Sequence, residues 1–176
     1  MPSHSPAHVR LVQTTIRHLD LEDISGAELA RELDVASPPS WPPEYNGPET
    51  RAWIRDALVA HPHAAAWYAS YVVAAIDDVP ILAGTCGFKG PPDNAGVVEI
   101  GYSIIPELQR RGIGTAAIHL LCQRGFASGA SGIVAETLPS LIASQRVLSK
   151  SGFRRVEVIR GGAGVDEIWR YRLDAP

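Results

Sequence analysis

Gln109-Arg110-Arg111-Gly112-Ile113-Gly114 is the stretch on which the reading of this chain turns. Before it, residues 97–105 have the composition of a strand. After it, residues 112–127 carry apolar side chains at 113, 116, 117, 120 and 121, the spacing of a helix face. A strand, a short irregular link and a glycine-containing helix start together make an anion site. The first amides of a helix have no partners within it, and its dipole places partial positive charge there. Gly112 and Gly114 let an anion approach the main chain, and Arg110 and Arg111 add forked donors suited to phosphate oxygens. Two better-known phosphate loops do not fit. The G-x-x-x-x-G-K-[ST] loop needs a lysine and a spacing that are missing. The G-x-G-x-x-G fingerprint needs a third glycine, and Thr115-Ala116-Ala117 follows Gly114 instead.

The pattern outward from this turn predicts a mixed α/β fold. Upstream, residues 66–76, 81–89 and 97–105 read as three strands joined by short turns at Asp77-Asp78 and at 91–96, an antiparallel meander. Residues 9–15 read as a first strand. Residues 21–35 read as one amphipathic helix with Ile24, Leu29 and Leu33 near one face. A proline-rich loop at 37–48 carries Trp41 and Tyr45, and a second helix, Pro48–Ala60, begins on a proline suited to a first turn. Downstream of the turn come a helix at 112–127, a strand at 132–137 and a helix at 140–151. Gly152 stands where a left-handed cap ends a helix, with Phe153 placed to pack on Leu148. Strands at 153–159 and 167–173 close the chain as a hairpin across a glycine-rich turn at 161–164. The order is β-α-α-β-β-β-α-β-α-β-β, read as one domain over 1–176.

Bulk properties remove several functions. The 176 residues suffice for one sizeable core, and 45% hydrophobic with 20% charged residues is a globular composition. A formal net charge of −3 offers no general attraction to nucleic acid or anionic membranes. No apolar run is long enough to span a bilayer, and the N-terminus lacks the pattern of a signal peptide. Cys86 and Cys122 have no metal spacing, so reduced thiols and a cytoplasmic location are expected. His61-Pro62-His63 has no third ligand beside it, and no metal is expected.

Two segments carry a family resemblance. Val98-Glu99-Ile100-Gly101-Tyr102-Ser103-Ile104, followed by the 109–114 turn, resembles motif A, [QR]-x-x-G-x-[GA], of the GNAT N-acetyltransferase superfamily. Ala143-Ser144-Gln145-Arg146-Val147-Leu148-Ser149-Lys150-Ser151-Gly152-Phe153 resembles its second cofactor segment, in a form similar to the RimJ/RimL-type branch. The resemblance implies a mixed, mainly antiparallel sheet whose fourth and fifth strands splay apart, flanked by about four helices. It implies acetyl-CoA as co-substrate, its pantetheine arm held by the backbones of Ile104 and Ile105. Its pyrophosphate would lie on Gln109, Arg110, Arg111, Gly112, Ile113, Gly114 and Thr115.

The implied reaction is direct transfer of an acetyl group to a primary amine, either of a small molecule or of a protein N-terminus. Glu99 is the candidate base; its alternative is a solvent-facing strand residue, because alternation alone does not say which face lines the cleft. Ser144 is the candidate proton donor to the departing thiolate and a cofactor contact. Its alternative is a helix-surface hydroxyl bonded to a nearby carbonyl. Two departures from the family stand out: Leu141 replaces an asparagine usual there, and Leu148 replaces a tyrosine that serves some members as acid. A second reading is therefore a catalytically weak acyl-CoA-binding or regulatory domain. Trp41 and Tyr45 are candidate acceptor contacts through cation–π attraction, whereas Trp53 is expected in the local core. The cysteines are expected to be inert, and a homodimer is compatible with the resembled branch.

Overall fold

The computed structural model describes residues 8–160 and 167–176. β1 (His8–Gln13) is followed by α1 (Ile16–Ile24), α2 (Gly26–Leu33), α3 (Pro48–Ala60) and a 3-10 turn at Pro62–Trp67. The meander is β2 (Ala69–Ile76), β3 (Val79–Phe88) and β4 (Val97–Ile104). A 3-10 turn at Pro106–Leu108 leads to α4 (Ile113–Ala127), β5 (Gly132–Thr137), α5 (Ile142–Lys150), β6 (Arg154–Ile159) and β7 (Ile168–Asp174). One seven-stranded sheet has the order β1-β2-β3-β4-β5-β7-β6, antiparallel everywhere except between β4 and β5. The expected α/β architecture is present. The glycine-rich turn at 161–164 lies outside the described residues.

The expected single helix at 21–35 is two helices. Ser25 has an extended backbone (φ −170°, ψ 156°), accepts from Glu28 N–H through its hydroxyl, and so caps α2 while ending α1. The break turns Ile24 outward, 72% exposed, while Leu29 is fully buried. Five α-helices therefore flank the sheet, among the described residues, rather than about four. β1 also stops at Gln13, because Thr15 caps α1: its hydroxyl accepts from His18 N–H at 3.2 Å. The strand expected from 66 begins at Ala69, after the 3-10 turn.

The sheet is covered on both faces. Val72, Ala74, Phe88, Val98 and Ile100 pack with Ile113, Ala117, Ile118 and Leu121 of α4. Tyr71, Val73 and Leu82 point the other way and pack with Leu29 and Ala30 of α2. Leu19, Ile54, Leu58 and Tyr68 form a third cluster beneath α1 and α3. Trp53, expected in the core, is 46% exposed and meets Tyr68 edge to face.

α5 ends as its sequence predicts. Gly152 has φ 88°, its N–H donates to Ser149 C=O, and Phe153 N–H donates to Leu148 C=O at 3.0 Å. Phe153 and Leu148 are both buried. A Cβ on Gly152 would meet only Leu173 Cδ1, at an ordinary 3.5 Å. The cost of Gly152→Ala is therefore conformational, expected at about 1 kcal/mol. Urea unfolding of the two proteins measures it.

Candidate functional site

The site begins where two parallel strands part. β4 and β5 pair from Val97↔Gly132 to Ile100↔Ala135 and no further. Beyond that point β4 stays paired to β3 through Ile104↔Gly84, and β5 stays paired to β7 through Thr137↔Trp169. Glu99 C=O accepts from Lys89 N–H, and Ile105 N–H donates to Ala83 C=O at 2.9 Å. Odd-numbered residues of this strand thus direct their main chain at β3. Tyr102 and Ile104 direct theirs into the gap. Ile104 C=O accepts from Gln109 Nε2 at 2.9 Å, tying the gap to the turn that follows. The main chain of Ile105 is fully engaged, because its C=O also accepts from Leu108 N–H. It offers nothing to the gap, and Tyr102 takes its place beside Ile104.

Three groups line the gap from the side of α4 and α5. The Tyr102 hydroxyl lies 2.9 Å from Ser144 Oγ and 3.1 Å from Ser144 C=O, spanning the space between β4 and α5. Burial raises the Tyr102 phenol above its ordinary pKa against a smaller opposing effect of the Ser144 bond, so the phenol stays protonated at neutral pH. Thr137, the last residue of β5, is buried, and its hydroxyl finds no hydrogen-bond partner among the described residues. Where Gly114 opens α4, an added Cβ would lie 3.6 Å from both Ile104 and Val147, so the helix start closes on β4 and α5.

The turn itself has the geometry of an anion cradle. Arg110 (φ 62°) and Gly112 (φ 80°) are both left-handed, and Gly112 is the N-cap of α4 with no side-chain cap. The first intrahelical acceptor is Gly112 C=O, reached from Ala116 N–H, so the amides of Ile113, Gly114 and Thr115 point free of the helix. Gln109, Arg110, Arg111 and Gly112 are exposed. Ile113 is 1% exposed, which limits its part to the main chain.

The opposite face of the sheet carries the other candidates. Thr85 pairs with both Tyr71 and Ser103, which puts Glu99, Gly101 and Ser103 on the face covered by α1 to α3. Glu99 forms an ion pair with Lys89 and keeps 28% of its side chain exposed. On the same face Glu22 is 6% exposed and accepts three bonds, from Trp41 Nε1 (2.9 Å), Asn46 Nδ2 (2.7 Å) and Tyr71 OH (2.8 Å). Trp41 is thus anchored by its indole N–H and packs against Tyr71, whereas Tyr45 is 55% exposed. Cys86 and Cys122 are buried, and burial pushes both thiols up to about 12, away from nucleophilic use.

Sequence reasoning overlooked Tyr102, Thr137 and Glu22. Tyr102 lies inside the quoted motif, but strand alternation alone does not set it apart from Ile100 and Ile104. Thr137 carried no signal except its place at a strand end. Glu22 looked like any acid on an amphipathic helix, and only the fold brings Trp41, Asn46 and Tyr71 to it.

Burial, with a smaller push from the Asp23 charge, raises the Glu22 carboxyl above its ordinary pKa and outweighs the bonds from Tyr71 and Trp41 and the charge of Arg51. The native state therefore holds this proton more tightly than the unfolded chain. Stability present below the unfolded-state pKa is lost as pH rises through the native one. Glu22→Gln removes that loss. The stability difference is expected to move in favour of the variant as pH rises through and above the carboxylate range, and denaturant unfolding across a pH series reads it.

The described geometry agrees with comparisons to known proteins. The family model "Acetyltransferase (GNAT) domain" matches residues 10–154. An uncharacterized N-acetyltransferase of Bacillus subtilis, YoaA, is 38% identical over 84 residues; the chain spans about half of that relative, 48% of its length, with 47% of its own. Among solved structures, Mycobacterium smegmatis RimJ in complex with CoA-disulfide superposes with a TM-score of 0.63 at 18% identity, covering 97% of this chain and 86% of that one. The microcin C7 self-immunity acetyltransferase MccE, in complex with acetyl-CoA and AMP, gives 0.65 at 16% identity, covering 95% and 92%. With its parted β4 and β5 and a family match over most of its length, the chain belongs to the GNAT acetyltransferase family.

Proposed function

We propose that this protein is an N-acetyltransferase that moves an acetyl group from acetyl-CoA directly to a primary amine. The observation that carries the reading is the gap between β4 and β5, which opens next to a helix start with free amides. Both parts fit the co-substrate. The gap offers the main-chain groups of Tyr102 and the N–H of Ile104 to an extended amide-bearing arm, as a sheet edge offers them to an added strand. Thr137 Oγ1 adds a buried hydroxyl without a partner among the described residues. The amides of Ile113, Gly114 and Thr115, with Arg110 and Arg111 nearby, suit a pyrophosphate. Structures of RimJ with CoA-disulfide and of MccE with acetyl-CoA share the fold.

Acetyl-CoA supplies the activated acetyl group as a thioester. The residues of this chain orient it and move protons. A β4 main-chain N–H in the gap donates to the oxygen that becomes negative as the amine adds. Glu99, directly or through a water, takes the proton the amine loses. Its ion pair with Lys89 and its place opposite Val134, in the paired stretch before the gap, set the carboxylate back from the opening, so the water-bridged path suits its position. Ser144 Oγ passes a proton to the departing sulfur. A serine hydroxyl is a weak acid alone, and the Tyr102 phenol at 2.9 Å can restore the proton Ser144 gives up. The acceptor is a small amine or a protein N-terminus, approached from the face that bears Trp41 and Tyr45. Leu141, which begins α5 without a side-chain cap, is the feature that favours the alternative of a weakly active acyl-CoA-binding domain.

The cofactor and acceptor parts are tested separately. Gly112→Glu places a side chain and a negative charge at a φ of 80° in the turn. Acetyl-CoA affinity measured by calorimetry is expected to fall more than about tenfold, a loss of ~1.4 kcal/mol or more. Unchanged affinity in a folded variant sinks the assignment. Free thiol release is then followed with acetyl-CoA and a panel of amines. Release above the rate without amine supports transfer; binding without release for every amine supports the alternative. In an active protein, Glu99→Gln is expected to lower kcat by about 10²-fold or more if Glu99 carries the amine proton.

A further inference from the structure

We infer that Glu22 is a positioning residue for the acceptor: it staples the 41–46 segment and so presents Tyr45 at the mouth of the gap. The inference rests on the amine-acetyltransferase reading above and adds a residue to its acceptor side.

Loop 34–47 lies where β4 ends. Ala36 N–H donates to Pro80 C=O at 2.8 Å, and Leu82 N–H donates to Ala36 C=O at 2.9 Å. Ala36 thereby sits beside β3 just past the point where Ile104 and Gly84 pair, continuing the line that β4 leaves. From there the Ser40 hydroxyl donates to Glu107, in the 3-10 turn that precedes Gln109. The loop thus reaches from the end of the sheet to the foot of the anion turn, along the mouth of the gap.

Glu22 fixes the middle of this loop. One oxygen, Oε1, accepts from both Trp41 Nε1 and Asn46 Nδ2. Two ends of one loop segment are therefore held at a single atom. The second oxygen accepts from Tyr71 OH on β2, which ties the staple to the sheet. Arg51 extends it to α3 by donating to Asn46 C=O at 2.8 Å. Gly26 makes room: a Cβ there would lie 2.6 Å from Trp41 Cδ1. Of the segment so closed, Tyr45 is the large side chain left exposed.

A buried carboxylate is an expensive way to fill this space, and apolar replacements of buried polar groups are often neutral or stabilising. Here the carboxylate provides geometry instead. Two donors converge on one oxygen and hold a proline-rich loop, which has no regular hydrogen-bond ladder, in one shape.

Glu22→Ala and Glu22→Gln test the inference in the intact chain, with Gly26→Ala as a variant that displaces Trp41 without touching the carboxylate. Acetyl-CoA affinity is measured by calorimetry. Thiol release is measured with a peptide bearing a free N-terminal alanine and with 1,4-diaminobutane as acceptors. For Glu22→Ala and Gly26→Ala, acceptor KM is expected to rise more than about fivefold, with kcat and acetyl-CoA affinity within about twofold of wild type. Glu22→Gln keeps a carbonyl oxygen for Trp41 and Asn46 and is expected to restore most of the acceptor KM. A fall in kcat at unchanged KM, or an equal loss of acetyl-CoA affinity, overturns the inference. If the wild-type protein releases no thiol with either amine, the transferase reading fails for these acceptors and amide hydrogen exchange decides the staple by itself. Faster exchange at the Trp41 and Asn46 amides in Glu22→Ala, with β4 and β5 unchanged, supports it; unchanged exchange there overturns it.

Discussion

The parting of β4 from β5 after Ile100 and Ala135 is the constraint on which the rest of the structure depends. A parallel pair inside a sheet normally keeps its ladder, because an unpaired main-chain group removed from water costs free energy. Here Tyr102 and Ile104 keep their bonds to β3 side only through their neighbours, and turn their own main-chain groups toward open space. The surrounding residues hold the gap open. Gln109 bonds Ile104 C=O from one end, Tyr102 reaches across to Ser144, and Gly114 lets α4 close against Ile104 and Val147. An opening built this way is suited to a ligand with a peptide-like backbone, and its location beside a helix start adds a place for negative charge.

The two faces of the sheet divide the work. α4 and α5 pack one face, and the Tyr102–Ser144 pair lies there with the anion turn. α1, α2 and α3 pack the other, where Glu99, Trp41 and Tyr45 are found. A ligand that threads the gap passes from one face to the other. The proposed roles of Glu22 and Ser144, far apart in sequence, meet on this arrangement: the sheet sets their separation and the gap joins the two faces.

The parts of this arrangement that were legible in the sequence are those in which local pattern and fold agree. Gly152 announced a left-handed cap and has positive φ; Gly112, read as room for an anion, is left-handed as well. The helical spacing after Gly112 named Ile113, Ala117 and Leu121 of the buried face of α4, whose centre lies nearer Ile118 and Cys122 than the half-buried Ala116 and Leu120, and the alternation in β4 predicted that Ile100 and Glu99 lie on opposite faces. What escaped had a different cause in each case. The break at Ser25 escaped because Ser25 is compatible with a helix interior until its hydroxyl finds Glu28 N–H; the capping bond, not the residue type, ends α1. Trp53 escaped because helical spacing names a face without saying how deep that face lies. The resemblance implied both Ile104 and Ile105 for the gap, although strand alternation turns adjacent main-chain groups to opposite sides.

Glu22 marks the limit of local reading most clearly. Its nearest bonding partner in sequence, Trp41, is 19 residues away, and Tyr71 is 49 away. No periodicity encodes such a cluster, because its geometry exists only after α1, the 34–47 loop and β2 have packed. Yet the chemistry constrains it strongly once formed. A carboxylate out of water must be met by donors, and each donor that meets it loses its freedom to go elsewhere. Trp41 therefore cannot offer its indole N–H to a substrate while Glu22 holds it, and what remains to it is its ring surface. Tyr45 makes no such bond among the described residues and is 55% exposed, so its ring and its hydroxyl both face outward. The same interaction that makes Trp41 a fixed wall leaves its neighbour as the exposed aromatic, so the difference between the two proposed acceptor contacts has a chemical reason that begins on α1.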